Sequence, residues 1–529
     1  MHSLEEQLTM SEEDLRTGFW THDPSHLGFA MTPLFQSFII PSVDQAFKHI
    51  KGADGQPFKR NAVRIYHGYA YDQVGAEVTP ADPEQRMAEL DAMRPRFNSL
   101  RQDFDRIVET ELLPGYRELD EKVRGVRTRE EALEGLQWLT ELNERFWTLH
   151  MQIVMPVFMA QEWYEGVFLQ AFPDRSATDA HTLLVAASNQ FVETDRALAA
   201  LAESIRERPT LRQALEDPDP MARLLELPEA ADFLGDLQSA MDQYGWRVGV
   251  GHDFYQPTWH EDPRLALATV RQFLSADVPF EERWQSIVSD QQAMLAAALD
   301  ALAGEHRMRF KEAFDVAWAA RPIDEDHHFY IDAMLPAKSR PLLMKIGALL
   351  QAEGRLTSAE QIFFLYRDEL EALLAGRLRV EPGLLESRKG QYQQYYNETP
   401  PPTLGTPMKS SPAPTTTNES PGLKGVSASA GVFEGRARII ASADDFSRLN
   451  PGEVLIARTT TPSWSGLFAI AGAVVTNSGG ILSHAATVAR EYRVPCVVAV
   501  PEATEHIHDG DFVRVDGGLG MVTILNPQS

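Results

Sequence analysis

Apolar residues recur at helical spacing through most of the chain. Ile287, Met294, Leu295, Ala298 and Leu302 fall on one helical face. Comparable patterns run through residues 94–119, 129–169, 179–207 and 358–374. This spacing predicts a large, mainly α-helical domain over residues 1–398. Pro156 lies inside the second pattern; without an N–H to donate, it is expected to kink or divide that helix. Aromatic residues gather in the same stretch: Phe146, Trp147, Phe158, Trp163, Tyr164, Phe168 and Phe172. They read first as helix-packing core, with the wall of an aromatic-lined pocket as the alternative.

The pattern changes after residue 422. Short runs rich in β-branched residues recur at 435–440, 453–457, 472–476, 496–500, 512–515 and 521–525, separated by Gly, Pro, Asn and Asp. Helices are expected at 444–449, 464–470 and 484–491. Residues 423–529 therefore read as a small α/β domain. Between the two regions, residues 399–422 are rich in Pro, Ser and Thr and carry no core-forming periodicity. They predict an extended or disordered linker, able to reach on the order of 70 Å at ~3.1 Å per residue. The expected architecture is multidomain, without an evident internal repeat.

Composition narrows the function classes. The single cysteine, Cys496, excludes an internal disulfide and a cysteine-based zinc site, and fits a reducing cytoplasm. The first residues, Met1 to Glu6, lack the basic and apolar regions of a signal peptide, and the sequence holds no apolar run long enough for a membrane span. A net charge of −27 disfavours nucleic acid and anionic lipid as partners. No phosphate loop of the GxxxxGK[ST] type occurs.

One segment carries clear chemistry. In Gly479-Gly480-Ile481-Leu482-Ser483-His484-Ala485-Ala486, two glycines end a strand and His484 opens an alanine-rich helix with no acidic residue in its first turn. The imidazole would then sit at the positive end of a helix, beside free backbone N–H groups. A phosphoryl carrier needs a nucleophile that is neutral near pH 7, attacks phosphorus and leaves easily; imidazole is all three. Gly479 and Gly480 would let the backbone approach a phosphate, and Ser483 would donate a hydroxyl or cap the helix. Thr459, Thr460 and Thr461, at the end of another strand, would add donors. Arg490 lies six residues along the helix and is expected to make a structural salt bridge.

The run from Gly479 to Pro495, Gly-Gly-x-x-Ser-His-Ala-Ala and then Ala-Arg-Glu-x-x-x-Pro, closely resembles the phosphohistidine signature of the phosphoenolpyruvate-utilising enzyme family. The resemblance extends from Gly425–Gly431 through Gly452-Glu453-Val454-Leu455 and Asp509-Gly510-Asp511 to Asp516-Gly517. It implies that His484 is the phosphohistidine of a swivelling domain, which gives the long linker a purpose. Much of residues 15–375 resembles the substrate-binding helical domain of rifampicin phosphotransferase-like proteins. The resemblance rests on Phe19-Trp20 with Thr32-Pro33-Leu34, on Tyr244-Gly245-Trp246-Arg247 with Pro257 to Pro263, and on Leu356 to Leu365. The usual acidic residue of the last segment is Gln361 here, so that position is given no role.

No ATP-grasp domain is recognised before Phe19 and no phosphoenolpyruvate-binding barrel after the small domain. The chain thus resembles the histidine-bearing subunit of split phosphotransferases such as phenylphosphate synthase. That resemblance implies a separate ATP-grasp subunit, which would hold ATP and Mg2+ and load His484 with a pyrophosphoryl group, releasing AMP. Loss of phosphate and transfer to a small hydroxyl-bearing, phenol-like acceptor would follow. Two polar constellations in the helical part are candidates for the acceptor site. One is Arg247, His252, Asp253 and His260; the other is Arg321, Asp324, Glu325, Asp326, His327 and His328, with Lys338 and Arg340 behind. Each would supply cations for equatorial oxygens and a group for the hydroxyl proton. His327 and His328, being adjacent, are expected to point apart. No residue is assigned to a metal. The alternatives are a rifamycin-type antibiotic phosphotransferase subunit and a non-catalytic phosphocarrier whose helical domain docks partners.

Overall fold

The computed structural model describes residues 3–22, 27–50, 62–74, 82–249, 251–406, 422–441, 443–460, 464–481 and 483–526. The fold is mostly helical, with a sheet-containing domain at the C-terminal end. The chain forms two compact units. One comprises Met1–Pro156, Gly251–Pro257 and His327–Thr416; the other comprises Val157–Val250, Thr258–Asp326 and Thr417–Ser529. The units are thus built from interleaved segments, and the last passage from one to the other, at Thr416/Thr417, falls within the Pro/Ser/Thr-rich stretch.

In the first unit, a four-stranded antiparallel sheet runs in the order Val63–Tyr66, Tyr69–Gln73, Phe19–His22, Thr403–Gly405. The last strand corrects the reading of 399–422 as wholly linker. Phe19 faces Gly405 and Thr21 faces Thr403, so this part of the segment completes a sheet edge. Residues 407–421 of that segment lie outside the described residues. The helix Met334–Ala352 packs on the 3-10 turn Ala359–Phe364, and a Cβ on Gly347 would come within 2.2 Å of the Ala359 carbonyl oxygen, so only glycine fits.

Pro156 does not divide its helix. Arg129–Ala171 is one continuous helix of 43 residues with Pro156 inside it. The buried residues along it, including Leu136, Leu139, Phe146, Trp163, Tyr164 and Phe168, supply the packing that offsets the lost hydrogen bond.

In the second unit, helices Gln190–Ile205, Ala231–Tyr244, Arg264–Ser275 and Phe280–Asp300 accompany an eight-stranded sheet. The sheet's centre is parallel: Val432–Ile439, Val454–Ala457, Ala473–Thr476, Cys496–Val498. The last three of these are buried at every position, as expected of parallel strands covered on both faces. Antiparallel strands flank them, Phe512–Asp516 and Met521–Asn526 on one side and Val426–Ser429 on the other. One core joins Leu198, Phe233, Trp259, Val270 and Phe273 of the helical segments to Leu467, Phe468, Ala486 and Val498 of the C-terminal segment. A second core, with Ile456, Val475, Val497 and Val515, fills the opposite face of the sheet.

Candidate functional site

Strand Ala473–Thr476 leads through a short loop into the helix His484–Tyr492. Ser478 donates from both its N–H and its hydroxyl to the Arg458 carbonyl, tying the loop to the end of the neighbouring strand. Gly479 adopts φ +121, and a Cβ there would meet Ser483 Oγ at 2.9 Å, so glycine is required. Gly480 faces open space and carries no such constraint. Ser483 is the N-cap, its hydroxyl accepting from the Ala486 N–H at 3.5 Å. The helix's own first turn holds alanines and no acidic residue, so it does not itself offset the positive helix end around His484.

The His484 side chain is 13% exposed and its Nδ1 stands 3.9 Å from Glu325 Oε2. Both ring nitrogens are buried without a hydrogen-bond partner. Phe191 and Phe468 meet the ring edge-on, with centroids at 6.3 and 6.4 Å. Among the described residues the imidazole is therefore held by packing and by the Glu325 carboxylate at 3.9 Å, and neither nitrogen makes a hydrogen bond. Thr460 Oγ1 is likewise buried without a partner, and Thr459 is partly buried; Thr461 lies outside the described residues.

The helix Gly304–His327 supplies the groups facing the histidine's helix. Arg321 donates to Asp324 at 2.7 Å and to Thr487 Oγ1 at 2.8 Å. Glu325, one turn on from Arg321, meets His484, one turn back from Thr487, so the two helices make matched contacts. Asp326 Oδ1 accepts from the Gln190 N–H at 2.7 Å, beside the N-cap Asn189, and so serves the start of the helix Gln190–Ile205.

Further contacts escaped the sequence reading. Asp195 accepts from Ser465 Oγ and from Tyr492 O–H, both at 2.7 Å, and burial raises its carboxyl above the ordinary range. Glu491 accepts from Asn189 Nδ2, and burial, followed by the nearby Glu325 charge, pushes it up to about 8. Arg490 donates to the Ala428 carbonyl at 2.9 Å, where a salt bridge was expected; burial and then Arg321 push it down to about 9. The available signal for Asp195 was a carboxylate on the same helical face as Phe191, Leu198 and Ala202.

Each of the two polar constellations is divided between the compact units. Arg247 is buried, donates to the Tyr244 carbonyl and Thr194 Oγ1, and is flanked by Phe191 and Trp259 at 5.0 and 4.8 Å. Burial pushes it down to about 10. It supports Phe191, which in turn touches His484. His260 stacks on Trp246 at 4.4 Å and pairs with Asp242 at 3.1 Å. His252 and Asp253 belong to the other unit. There Asp253 accepts from the Thr32 N–H and hydroxyl and the Tyr255 N–H, serving the start of the helix Pro33–Lys48, and burial pushes it up to about 6. His252 meets Phe29 edge-on.

The second constellation divides likewise. Arg321, Asp324, Glu325 and Asp326 share the unit of His484; His327, His328, Lys338 and Arg340 do not. Lys338 reaches Asp120 at 3.5 Å, and Arg340 donates to the Phe254 and Tyr255 carbonyls. His327 and His328 do not point apart. Their ring centroids are 4.0 Å apart, because the chain turns π-helical at His328–Ala333.

Comparison with known proteins defines the class of these parts. Residues 449–520 match the family described as "PEP-utilising enzyme, mobile domain", and residues 149–324 match "Rifampicin phosphotransferase fourth domain". The chain therefore carries a phosphoenolpyruvate-utiliser mobile domain, with His484 inside it, and a domain of the rifampicin phosphotransferase kind. Among individual proteins, it is 30% identical to the uncharacterised phosphotransferase YvkC of Bacillus subtilis over 96% of this chain and 62% of that protein. It is 27% identical to chondramide synthase cmdD of Chondromyces crocatus over 97% of this chain and 14% of that protein. It is 29% identical to rifampicin phosphotransferase of Streptomyces sviceus over 76% of this chain and 47% of that protein. The chain thus spans less than two thirds of the length of each.

Proposed function

We propose that the protein is the histidine-carrying part of an ATP-dependent phosphotransferase. The overall reaction is ATP, acceptor hydroxyl and water to AMP, phosphate and phosphorylated acceptor, with phospho-His484 as the intermediate. The observation that carries this reading is the imidazole at a helix N-terminus with both nitrogens buried and, among the described residues, without a hydrogen bond. The mobile-domain match and relatives named as phosphotransferases support it. ATP and Mg2+ are bound mainly by a separate ATP-grasp module, and the acceptor is a small phenol-like alcohol. Of the acceptor-site candidates, Glu325 is assigned to the hydroxyl proton, a role that its 3.9 Å separation from His484 Nδ1 supports. In the transfer step the acceptor O–P bond forms as the N–P bond breaks, and the hydroxyl proton passes to Glu325 and then to the freed imidazole nitrogen.

The test combines the chain with an ATP-grasp module, ATP, Mg2+ and a panel of phenols and alcohols. Acceptor-dependent AMP release and a phosphorylated His484 peptide are expected. A His484 never modified in any trapped state, in a mixture that turns over, overturns the reading. A rifamycin acceptor is the second reading, favoured by the match of residues 149–324. Including a rifamycin in the panel separates the two.

A further inference from the structure

We propose that His150, His327 and Asp332 form a binding site for one divalent first-row transition metal ion. All three side chains are buried, at 3, 1 and 5% exposure, and each offers a ligand atom within 4.8 Å of the others. The three belong to the same compact unit, which is not the unit holding His484.

The geometry is that of ligands more than of a hydrogen-bonded cluster. His150 Nε2 and Asp332 Oδ1 stand 3.1 Å apart in the interior, at ion-pair distance, yet among the described residues neither atom has a partner in hydrogen-bond geometry. Two such atoms at that separation fit neighbouring ligands on one ion with bonds of about 2.0–2.2 Å. The other carboxylate oxygen, Oδ2, is held by His328 Nδ1 at 2.5 Å, which fixes the plane of the carboxylate. A ligating group oriented by an outer hydrogen bond is the usual construction around a bound metal.

The backbone is shaped to the same end. His327 and Asp332 are five residues apart, and in an α-helix that spacing would put them on different faces. The π-helical stretch His328–Ala333 widens the turn and brings them together. Tyr116 donates its hydroxyl to the Tyr330 carbonyl at 2.5 Å inside this stretch, supporting a backbone group of the irregular turn. His150 reaches the cluster from the long helix Arg129–Ala171, its ring 4.8 Å from that of His327.

The donor set decides the class of ion. Two imidazoles and one carboxylate suit Zn2+, Mn2+, Fe2+ or Co2+, whereas Mg2+ and Ca2+ prefer all-oxygen sites. Three protein ligands leave a coordination position for water or another small ligand.

The experiment uses the full chain, stripped with a chelator and titrated separately with Zn2+ and Co2+. One equivalent of tight binding is expected, with Co2+ giving the visible absorption of nitrogen and oxygen ligation. His150→Gln should weaken Zn2+ binding by at least 100-fold and abolish the Co2+ spectrum. His328→Gln, which leaves the three ligands in place, should weaken it by roughly 10–100-fold. Circular dichroism establishes that each variant is folded; if His150→Gln is not, the His328→Gln titration decides. Stripped chain that binds neither ion, or binds them equally in native and variant forms, overturns the proposal.

Discussion

Glu325 faces His484 across 3.9 Å, on the turn following the one from which Arg321 holds Thr487. The carboxylate opposes a dianionic phosphohistidine. Two unit charges 4 Å apart interact by ~4 kcal/mol at an effective dielectric constant of 20.

The first prediction concerns that carboxylate. Glu325→Gln relieves the repulsion and removes the group assigned to the hydroxyl proton. The steady-state fraction of phospho-His484 should rise several-fold while transfer to the acceptor slows by ~10^2 or more. Phosphopeptide mass spectrometry and single-turnover product formation read the two effects. No change in either would remove Glu325 from the mechanism.

His484 itself can be tested without disturbing the fold. Its nitrogens make no hydrogen bond among the described residues, so His484→Ala sacrifices ring packing against Phe191 and Phe468 and the 3.9 Å approach to Glu325. The expected cost is ~1–2 kcal/mol of stability, together with complete loss of phosphoryl transfer. Retained turnover would show that another residue carries the group.

The pH dependence of stability follows from Glu491. Burial and the Glu325 charge hold its folded-state pKa at about 8, above the ordinary 4.5. The folded state thus keeps a proton that the unfolded chain releases. The resulting stabilisation is full below about pH 4.5 and is lost as pH rises through about 8. Glu491→Gln should flatten this slope, leaving the variant relatively more stable than the native chain at pH 9. Urea denaturation at pH 5, 7 and 9 measures it; parallel native and variant profiles would contradict the assignment.

Much of the C-terminal domain was legible because its signals are local. The β-branched runs, the glycine loop and the capped alanine-rich helix each depend on neighbours a few residues away, and the structure places the helix at His484–Tyr492. The surroundings of His484 were not legible in the same way. Asp195 meets Ser465 across 270 residues of sequence, and no local pattern encodes such a pairing. The polar constellations were grouped by adjacency in sequence, whereas contiguous residues such as Asp326 and His327 belong to different compact units. The π-turn at His328–Ala333 defeated the periodicity argument, since a helix of altered pitch moves every later side chain to a new face.

Gly466 provides a test of docking that touches neither His484 nor Glu325. It lies in the helix Ser465–Ile470, where an added Cβ would approach Gln272 Oε1 to 2.5 Å and Thr269 Cγ2 to 2.7 Å. Those two residues belong to the helix Arg264–Ser275. Gly466→Val therefore wedges the C-terminal domain away from the helical segments of its own unit, at a cost of about 1–3 kcal/mol from overpacking. A carrier that must dock to discharge should then be loaded from ATP at a near-native rate but transfer to the acceptor at least tenfold more slowly. Quenched-flow measurement of phospho-His484 formation and decay separates the two steps. An equal slowing of both would mean that the close approach at Gly466 maintains the fold of the domain rather than its seat beside Glu325.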